Sequence, residues 1–227
     1  MWAIIKKEFK SYFLSPIGYI YIGIFLLVCS VFFYLDIFAY QTTNFANMFG
    51  SAATILTFIV PILTMRMFSE ERKNGTEQLL LTSPRSVTSI VLGKFFAACA
   101  VCLISTLATL LYFIILCNFG KPQVASALVA ILGFALLSFA YVSFGMFASS
   151  LTENQVVAAI ISIGFFLLSW FLPNIITSLS DYSLMYAFYD SFMMGTIAIK
   201  NIVLLISFTV MFITFTIMVI QRRKNVK

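Results

Sequence analysis

Residues 95–152 have the sequence FFAACAVCLISTLATLLYFIILCNFGKPQVASALVAILGFALLSFAYVSFGMFASSLT, and Lys121 is the only charged residue among them. A helix needs about 20 apolar residues to cross the hydrocarbon core of a bilayer. This stretch is long enough for two crossings, and the polar group 120–122, Gly-Lys-Pro, indicates the turn between them. The sequence therefore predicts a membrane-spanning helical hairpin.

The rest of the chain follows the same pattern. Of 227 residues, 62% are hydrophobic, whereas 14 are basic and 8 are acidic. Soluble domains are about 45–50% apolar and about a quarter charged, so a soluble globule is excluded. We predict one all-α polytopic membrane domain over residues 1–227, because continuous apolar runs do not fit the alternating strands of a β-barrel. Its six spans cover approximately residues 17–39, 45–67, 95–118, 125–148, 156–173 and 201–220.

Basic residues set the expected orientation of these spans. With six spans, twelve of the fourteen basic residues fall on one side, and Lys121 and Lys200 fall on the other. The positive-inside rule makes the first side cytoplasmic. All five glutamates share that side, whereas the three aspartates fall outside. We therefore expect both termini in the cytoplasm, and we interpret the net charge of +6 as a topology signal rather than a nucleic-acid-binding surface.

The residue types argue against catalysis in this chain. Histidine is absent, which excludes serine–histidine and cysteine–histidine mechanisms and removes the commonest metal ligand. No acid pair or nucleophile–base set lies within the spans. Cys99 and Cys102 have CxxC spacing, but no electropositive neighbour lowers their thiol pKa, so we interpret them as packing residues, with redox or metal chemistry as the minor alternative. We expect no catalytic residue, metal site or cofactor here.

The segment before the first span predicts an amphipathic helix over residues 2–15. Its apolar face includes Trp2 and Phe9, and the basic residues beside that face are Lys6, Lys7 and Lys10. Such a helix lies in the membrane interface. No A-x-A cleavage site follows, so we do not expect a cleaved signal peptide. Two interpretations stay open: a simple membrane anchor, and an elbow helix that also contacts a cytoplasmic partner.

The loop after the second span is the most informative stretch. Residues 66–94 have the sequence RMFSEERKNGTEQLLLTSPRSVTSIVLGK. Gly75 can end a charged helix that extends the second span, and Thr76 can cap a short second helix that Pro84 stops. Leucines 79–81 form an apolar ridge on this second helix. A short rigid apolar helix is suited to dock into a groove of another protein, although the leucines could instead enter the lipid headgroups.

Several motifs in and around this loop occur in a fixed order. They comprise Pro61, Arg66, Glu70, Glu71, Arg72, Gly75, Thr76, Leu79, Leu80, Ser83, Pro84, Leu92, Gly93 and Lys94. Together they resemble the ABC-2 type permeases. Within that family the chain is most similar to gliding-motility-associated permeases and to related multidrug or nitrous-oxide-reductase-maturation permeases.

Two flanking stretches extend this resemblance to essentially the whole chain. Residues 6–16, KKEFKSYFLSP, are similar to the family's N-terminal elbow, and residues 188–192, FYDSF, resemble its stretch before the sixth span. One position departs from the pattern. The family usually has an apolar residue and then Glu after Gly-Thr, whereas here Glu77 precedes Gln78. The charge moves about 100° round the helix, which leaves open which residue makes the polar contact with a partner.

The resemblance implies that the chain is the non-catalytic membrane subunit of an ATP-driven transporter. It assigns the contact with an ATP-binding cassette subunit to Glu70, Glu71, Gly75, Thr76, Glu77, Gln78, Leu79, Leu80, Pro84, Gly93 and Lys94. No glycine lies five residues before Gly93, so the chain lacks a Walker A phosphate loop, and ATP and Mg²⁺ belong to the partner. The resemblance also implies a second permease copy, identical or paralogous, export as the direction, and the bacterial cytoplasmic membrane as the location.

Three residues are candidates for bending or gating. Pro61 and Pro173 can bend their helices, although Pro61 could be a static kink. Asp36 lies near the outer end of the first span, where an acid is either functional or at headgroup level. The resemblance implies that residues 174–200 form short re-entrant helices at an outer gate, with an interfacial aromatic belt as the alternative.

Two functions from other classes stay open. One is a membrane scaffold of a cassette complex that transports no solute. The other is an ion-driven secondary transporter, which would need inverted repeats or midplane charges that the sequence does not show.

Overall fold

The structure is a computed structural model that describes residues 1–36, 45–78, 86–120 and 122–226. These ranges are almost entirely helical, and no strand occurs among them. The elements are α1 (Trp2–Leu14), α2 (Pro16–Tyr34), α3 (Phe45–Thr64), α4 (Ser69–Lys73), α5 (Val87–Ala108), α6 (Leu110–Phe119), α7 (Val124–Leu151), α8 (Gln155–Ile175), a 3-10 helix (Thr177–Tyr182), α9 (Leu184–Ala187), a π-helical turn (Phe188–Phe192) and α10 (Ile199–Val226).

Six helical segments in the described ranges are long and apolar enough to cross a membrane, which confirms the predicted six-span, all-α class. They are Pro16–Tyr34, Phe45–Lys73, Val87–Asn118, Val124–Leu151, Gln155–Ile175 and Ile199–Lys224. The chain is therefore a multi-pass membrane protein.

Most of the helical segments extend beyond the predicted spans, and the largest extensions are at the start of the third segment and the end of the second. The third segment begins at Val87, well before residue 95, because the Ser86 hydroxyl accepts a hydrogen bond from the Ser89 N–H and caps the helix there. The second segment extends to Lys73, as the charged extension of the second span predicts. The predicted end of the first span, at residue 39, lies outside the described residues.

Helix α7 lies at the centre of the bundle, where it packs against α3, α5, α8 and α10. Its sequence is apolar all round, as expected for a helix that is surrounded by others. Aromatic rings fill its contacts with α8 and α10. The Tyr141 ring stacks on Phe166 at a centroid distance of 3.9 Å, and the Phe144 ring meets Phe212 edge-on at 4.9 Å.

The short helices between α8 and α10 pack into the bundle rather than forming an open loop. Phe188 and Phe192 are fully buried. Gly133 of α7 makes room for this packing, because a Cβ at that position would lie 2.2 Å from the Phe192 ring. Asn201 of α10 holds the start of the π-helical turn in place, because its side-chain amide donates a hydrogen bond to the Ala187 carbonyl at 3.1 Å. Whether this segment re-enters the membrane stays a prediction.

The candidate bending residues occupy three different settings. Pro61 is buried inside α3, and the helix continues to Thr64 beyond it. Pro173 is buried in the last turn of α8. Asp36 is half-buried in the turn that follows α2. The bending or gating roles of these three residues stay predictions.

Candidate functional site at the charged end of the bundle

One end of the bundle carries Glu8, residues 66–78, Lys94, Glu153 and Arg223, and we call it the charged end. Ion pairs connect these side chains to one another. All five glutamates of the chain are among them. Asp181 pairs instead with Lys200 at the start of α10. The glutamates are thus gathered at one end of the bundle, while the orientation of that end across the membrane stays a prediction.

The charged end begins where α3 is interrupted at residues 65–68. The break in the helix leaves backbone N–H and C=O groups without helical partners, and Ser149 of α7 forms hydrogen bonds with them. The Ser149 hydroxyl accepts hydrogen bonds from the N–H groups of Phe68, at 3.0 Å, and Ser69, at 3.1 Å, and donates to the Met65 carbonyl at 2.9 Å. Gly145, one turn earlier, permits the close approach of α7, because a Cβ there would lie 2.2 Å from the Thr64 hydroxyl oxygen. The direction of α4 is thus set by α7.

Lys94 is the most buried charged residue described, with 3% of its side chain exposed. Its ammonium lies 2.8 Å from the Glu71 carboxylate and 3.1 Å from the Glu8 carboxylate. The Phe68 ring lies 5.4 Å away, within cation–π distance. Because Glu8 belongs to α1, Glu71 to α4 and Lys94 to α5, one buried cation joins three helices. We call these three residues the Lys94 triad.

Gly93 explains how α1 comes close enough to complete the triad. A Cβ at Gly93 would lie 2.6 Å from the Ile4 side chain, so the missing side chain lets α1 cross α5 in direct contact. Phe9 is half-buried and packs on the core from the same helix. The predicted elbow residues Lys6, Lys7 and Lys10 are exposed.

A second ion pair lines a cavity between α1 and α4. The Arg66 guanidinium donates to both carboxylate oxygens of Glu70, at 2.7 and 2.5 Å, in the bidentate arrangement that gives strong pairs. The cavity measures about 250 Å³ and is also lined by Lys94 and Tyr12. Burial, and secondly the nearby Glu8 carboxylate, raise the pKa of the Tyr12 phenol.

The coupling residues predicted in the turn after α4 point in different directions. Gly75 has φ of +70°, the left-handed conformation expected of a residue that ends a helix. The Thr76 hydroxyl donates to the Glu71 carbonyl at 3.2 Å, back towards α4. Glu77 faces Arg72 and Arg223, whereas Gln78 is exposed. The predicted contacts Leu79, Leu80 and Pro84 lie outside the described residues.

Sequence reasoning assigned no site role to four residues that organise this end, although Arg72 and Glu8 belong to the quoted motifs: Glu8, Arg72, Ser149 and Arg223. Glu8 and Arg223 pair with residues far away in the chain, and no local pattern reveals such partners. Ser149 had a detectable signal, because small residues at positions 145 and 149 are the spacing that allows two membrane helices to approach closely. In the described ranges, no group of three or more cysteine, aspartate or glutamate residues is arranged to hold a metal ion.

The fold and this site together define an all-α, multi-pass membrane protein whose charges are concentrated at one end. Comparison with protein families identifies it further: the family described as ABC-2 family transporter protein matches residues 2–226, so the chain belongs to that family. The resemblance stated above is thereby confirmed at the level of the family. A comparison with curated proteins gives no match. Membership makes the chain the permease subunit of an ABC transporter, and an ATP-binding cassette subunit is its partner.

Proposed function

We propose that this permease couples ATP hydrolysis by its cassette subunits to export across the bacterial cytoplasmic membrane. The charged end faces the cytoplasm, and both termini lie there. Residues 76–82 dock on the cassette as the coupling helix, and α1 lies in the inner interface as an elbow. Two permease copies, identical or paralogous, pair with two cassettes, and the substrate pathway lies between the copies.

The observation that carries this proposal is the Lys94 triad. Separating a buried cation from its partners leaves an uncompensated charge in a region of low dielectric, so such contacts resist being pulled apart. A displacement of α4 therefore moves α1 and α5 with it. Mechanical coupling needs such a rigid connection between a docking segment and the ends of the membrane helices.

Co-purification with the cassette tests the proposal. We expect the wild-type permease, extracted in mild detergent, to carry its cassette and to hydrolyse ATP. Leu80→Asp places a charge on the apolar ridge, so it should reduce the bound cassette without lowering the thermal stability of the permease itself. Lys224→Asp is the matched control, because it adds an acid at an exposed position of the same end. An unchanged complex in Leu80→Asp would contradict the docking assignment.

Cysteine labelling tests the orientation separately. Cys29, Cys99 and Cys102 are buried and Cys117 is exposed, so a Cys117→Ser background removes the accessible native thiol. In that background, a membrane-impermeant maleimide added outside the cell should label Tyr182→Cys, at an exposed position near the start of α9, but not Thr76→Cys. Labelling of Thr76→Cys from outside would reverse the proposed orientation.

A further inference from the structure

We infer that Arg223, near the end of α10, is a positioning residue that holds Glu77 and thereby fixes the start of the coupling segment. This inference rests on the proposed coupling function, because the segment that Arg223 positions is the one proposed to dock on the cassette. The contact spans most of the chain, since residues 77 and 223 are 146 positions apart. We call Glu77, Arg72 and Arg223 the Glu77 clamp.

The clamp is a carboxylate held between two guanidinium groups. Arg223 donates to one oxygen of Glu77 at 3.2 Å, and the Arg72 guanidinium lies 3.7 Å from the other oxygen. All three side chains are largely covered, with 15% of Glu77, 18% of Arg72 and 25% of Arg223 exposed. The Arg223 contact is a hydrogen bond, whereas the longer Arg72 contact is an ion pair without one.

The two arginines also bind the end of α7. Arg223 donates to the Ser150 carbonyl at 2.6 Å, and Arg72 donates to the Leu151 carbonyl at 3.2 Å. The last carbonyls of a helix lack intrahelical donors and carry the negative end of the helix dipole, so cationic donors are favourable there. Arg72 reaches further to Glu153, at 2.7 Å, in the turn between α7 and α8. The clamp therefore joins Glu77 to the end of the central helix.

Helices α7 and α10 form a firm support for the clamp. Below Arg223, the Phe212 ring lies 4.9 Å from the Phe144 ring and 5.4 Å from the Phe147 ring, measured between centroids. Ile220 is buried less than one turn before Arg223. Because aromatic packing fixes α10 on α7, an arginine at the end of α10 has a defined position from which to hold Glu77.

The clamp also explains the departure at positions 77 and 78. Glu77 faces inward to two arginines of its own chain, whereas Gln78 is exposed. The glutamate of this chain thus stands one position earlier than in the pattern, at a position covered by Arg72 and Arg223. The charge at position 77 therefore acts within the chain, on two arginines that also bind the end of α7.

The test compares neighbouring arginines in the purified permease–cassette complex. Arg223→Ala should leave the amount of bound cassette close to wild type and reduce ATP turnover of the complex by about five-fold or more, which corresponds to about 1 kcal/mol in the barrier. Arg222→Ala is the matched control, because Arg222 is adjacent but exposed; it should leave turnover unchanged. Arg223→Lys keeps the charge without the planar fork, so it should recover part of the turnover.

Glu77→Gln distinguishes the contact between Arg223 and Glu77 from the bond that attaches Arg223 to the end of α7. This variant removes the carboxylate but leaves the bond from Arg223 to Ser150 in place, so the complex assembles even if Arg223→Ala does not. It should reproduce the loss of turnover, and the double variant with Arg223→Ala should lose little more than either single variant.

Normal turnover in Glu77→Gln, or equal turnover in Arg223→Ala and Arg222→Ala, would overturn the clamp while leaving the proposed function intact. A wild-type permease that binds no cassette would overturn both.

Discussion

Replacing Lys94 by methionine tests the contact that holds the charged end together. Methionine keeps the length of the unbranched side chain and removes the ammonium. The Glu8 and Glu71 carboxylates, 16% and 19% exposed, would then face each other without a cation between them. One carboxylate oxygen of Glu71 is already buried without a hydrogen-bond partner. Loss of the ammonium would leave the other oxygen without its cation as well.

The expected loss follows from burial rather than from the number of contacts. Removing one partner of a buried ion pair costs about 3–5 kcal/mol. Because both carboxylates keep some contact with solvent, we take the lower value, about 3 kcal/mol. In chains of this length each kcal/mol lowers Tm by about 2–4 °C, so Lys94→Met should lower Tm by about 6–12 °C.

Thermal unfolding in detergent, followed at one scan rate by near-UV circular dichroism, measures this loss. Lys200→Met is the matched control, because the Lys200–Asp181 contact is also 2.8 Å long but is 64% and 67% exposed. An exposed pair contributes little, so the control should unfold close to the wild-type temperature. The triple variant Glu8→Gln, Glu71→Gln and Lys94→Met removes every charge of the triad and should recover most of the lost stability.

Two results would refute this reasoning. Equal Tm shifts in Lys94→Met and Lys200→Met would mean that burial does not determine how much an ion pair contributes to stability. A triple variant as unstable as Lys94→Met would mean that the loss comes from packing around position 94 and not from unpaired carboxylates.

Two further substitutions test how α7 positions its neighbours. Ser149→Ala leaves the backbone groups at the α3–α4 interruption without a partner and should lower the free energy of unfolding by about 1–3 kcal/mol. The control Ser150→Ala loses only a bond to the Phe147 carbonyl within α7 and should cost less. Equal Tm values for the two variants would contradict the role of Ser149. Gly133→Ala should cost about 1–3 kcal/mol because the new methyl group meets the Phe192 ring. Gly164→Ala meets nothing within 4 Å and should be neutral or stabilising in the same melting assay, since alanine favours helix more than glycine does.

The number of spans could be predicted because charges are expensive inside a bilayer. Only 22 charged residues occur in 227, so their positions alone divide the chain into six apolar segments. The end of the charged helix at Gly75 was also predictable, because a left-handed helix end favours glycine. Both inferences rest on rules that act locally along the chain.

The arrangement of the charged end could not be predicted because it depends on contacts between distant residues. Sequence reasoning predicted no partner for Lys94 within the chain, and its ammonium is buried against Glu8, 86 positions away. That contact forms because Gly93 lets α1 cross α5, which no periodicity indicates. In the same way, the sequence shows that a glutamate stands at position 77 directly after Gly-Thr, but it does not show that Arg223 is the partner of Glu77.

Helix α4 connects the two ion-pair groups because consecutive helical residues point about 100° apart. Glu71 turns towards the Lys94 triad, and the adjacent Arg72 turns towards the Glu77 clamp. The triad contains a cation that is 3% exposed, whereas the arginines of the clamp are 18% and 25% exposed, so the triad is the harder of the two to separate. We therefore expect α1, α4 and α5 to move as one body, and the clamp to transmit that movement to α7 and α10. Loss of Lys94 should then reduce both stability and ATP turnover, whereas loss of the Glu77 carboxylate should reduce turnover with a smaller loss of stability, because the two arginines keep their bonds to the end of α7.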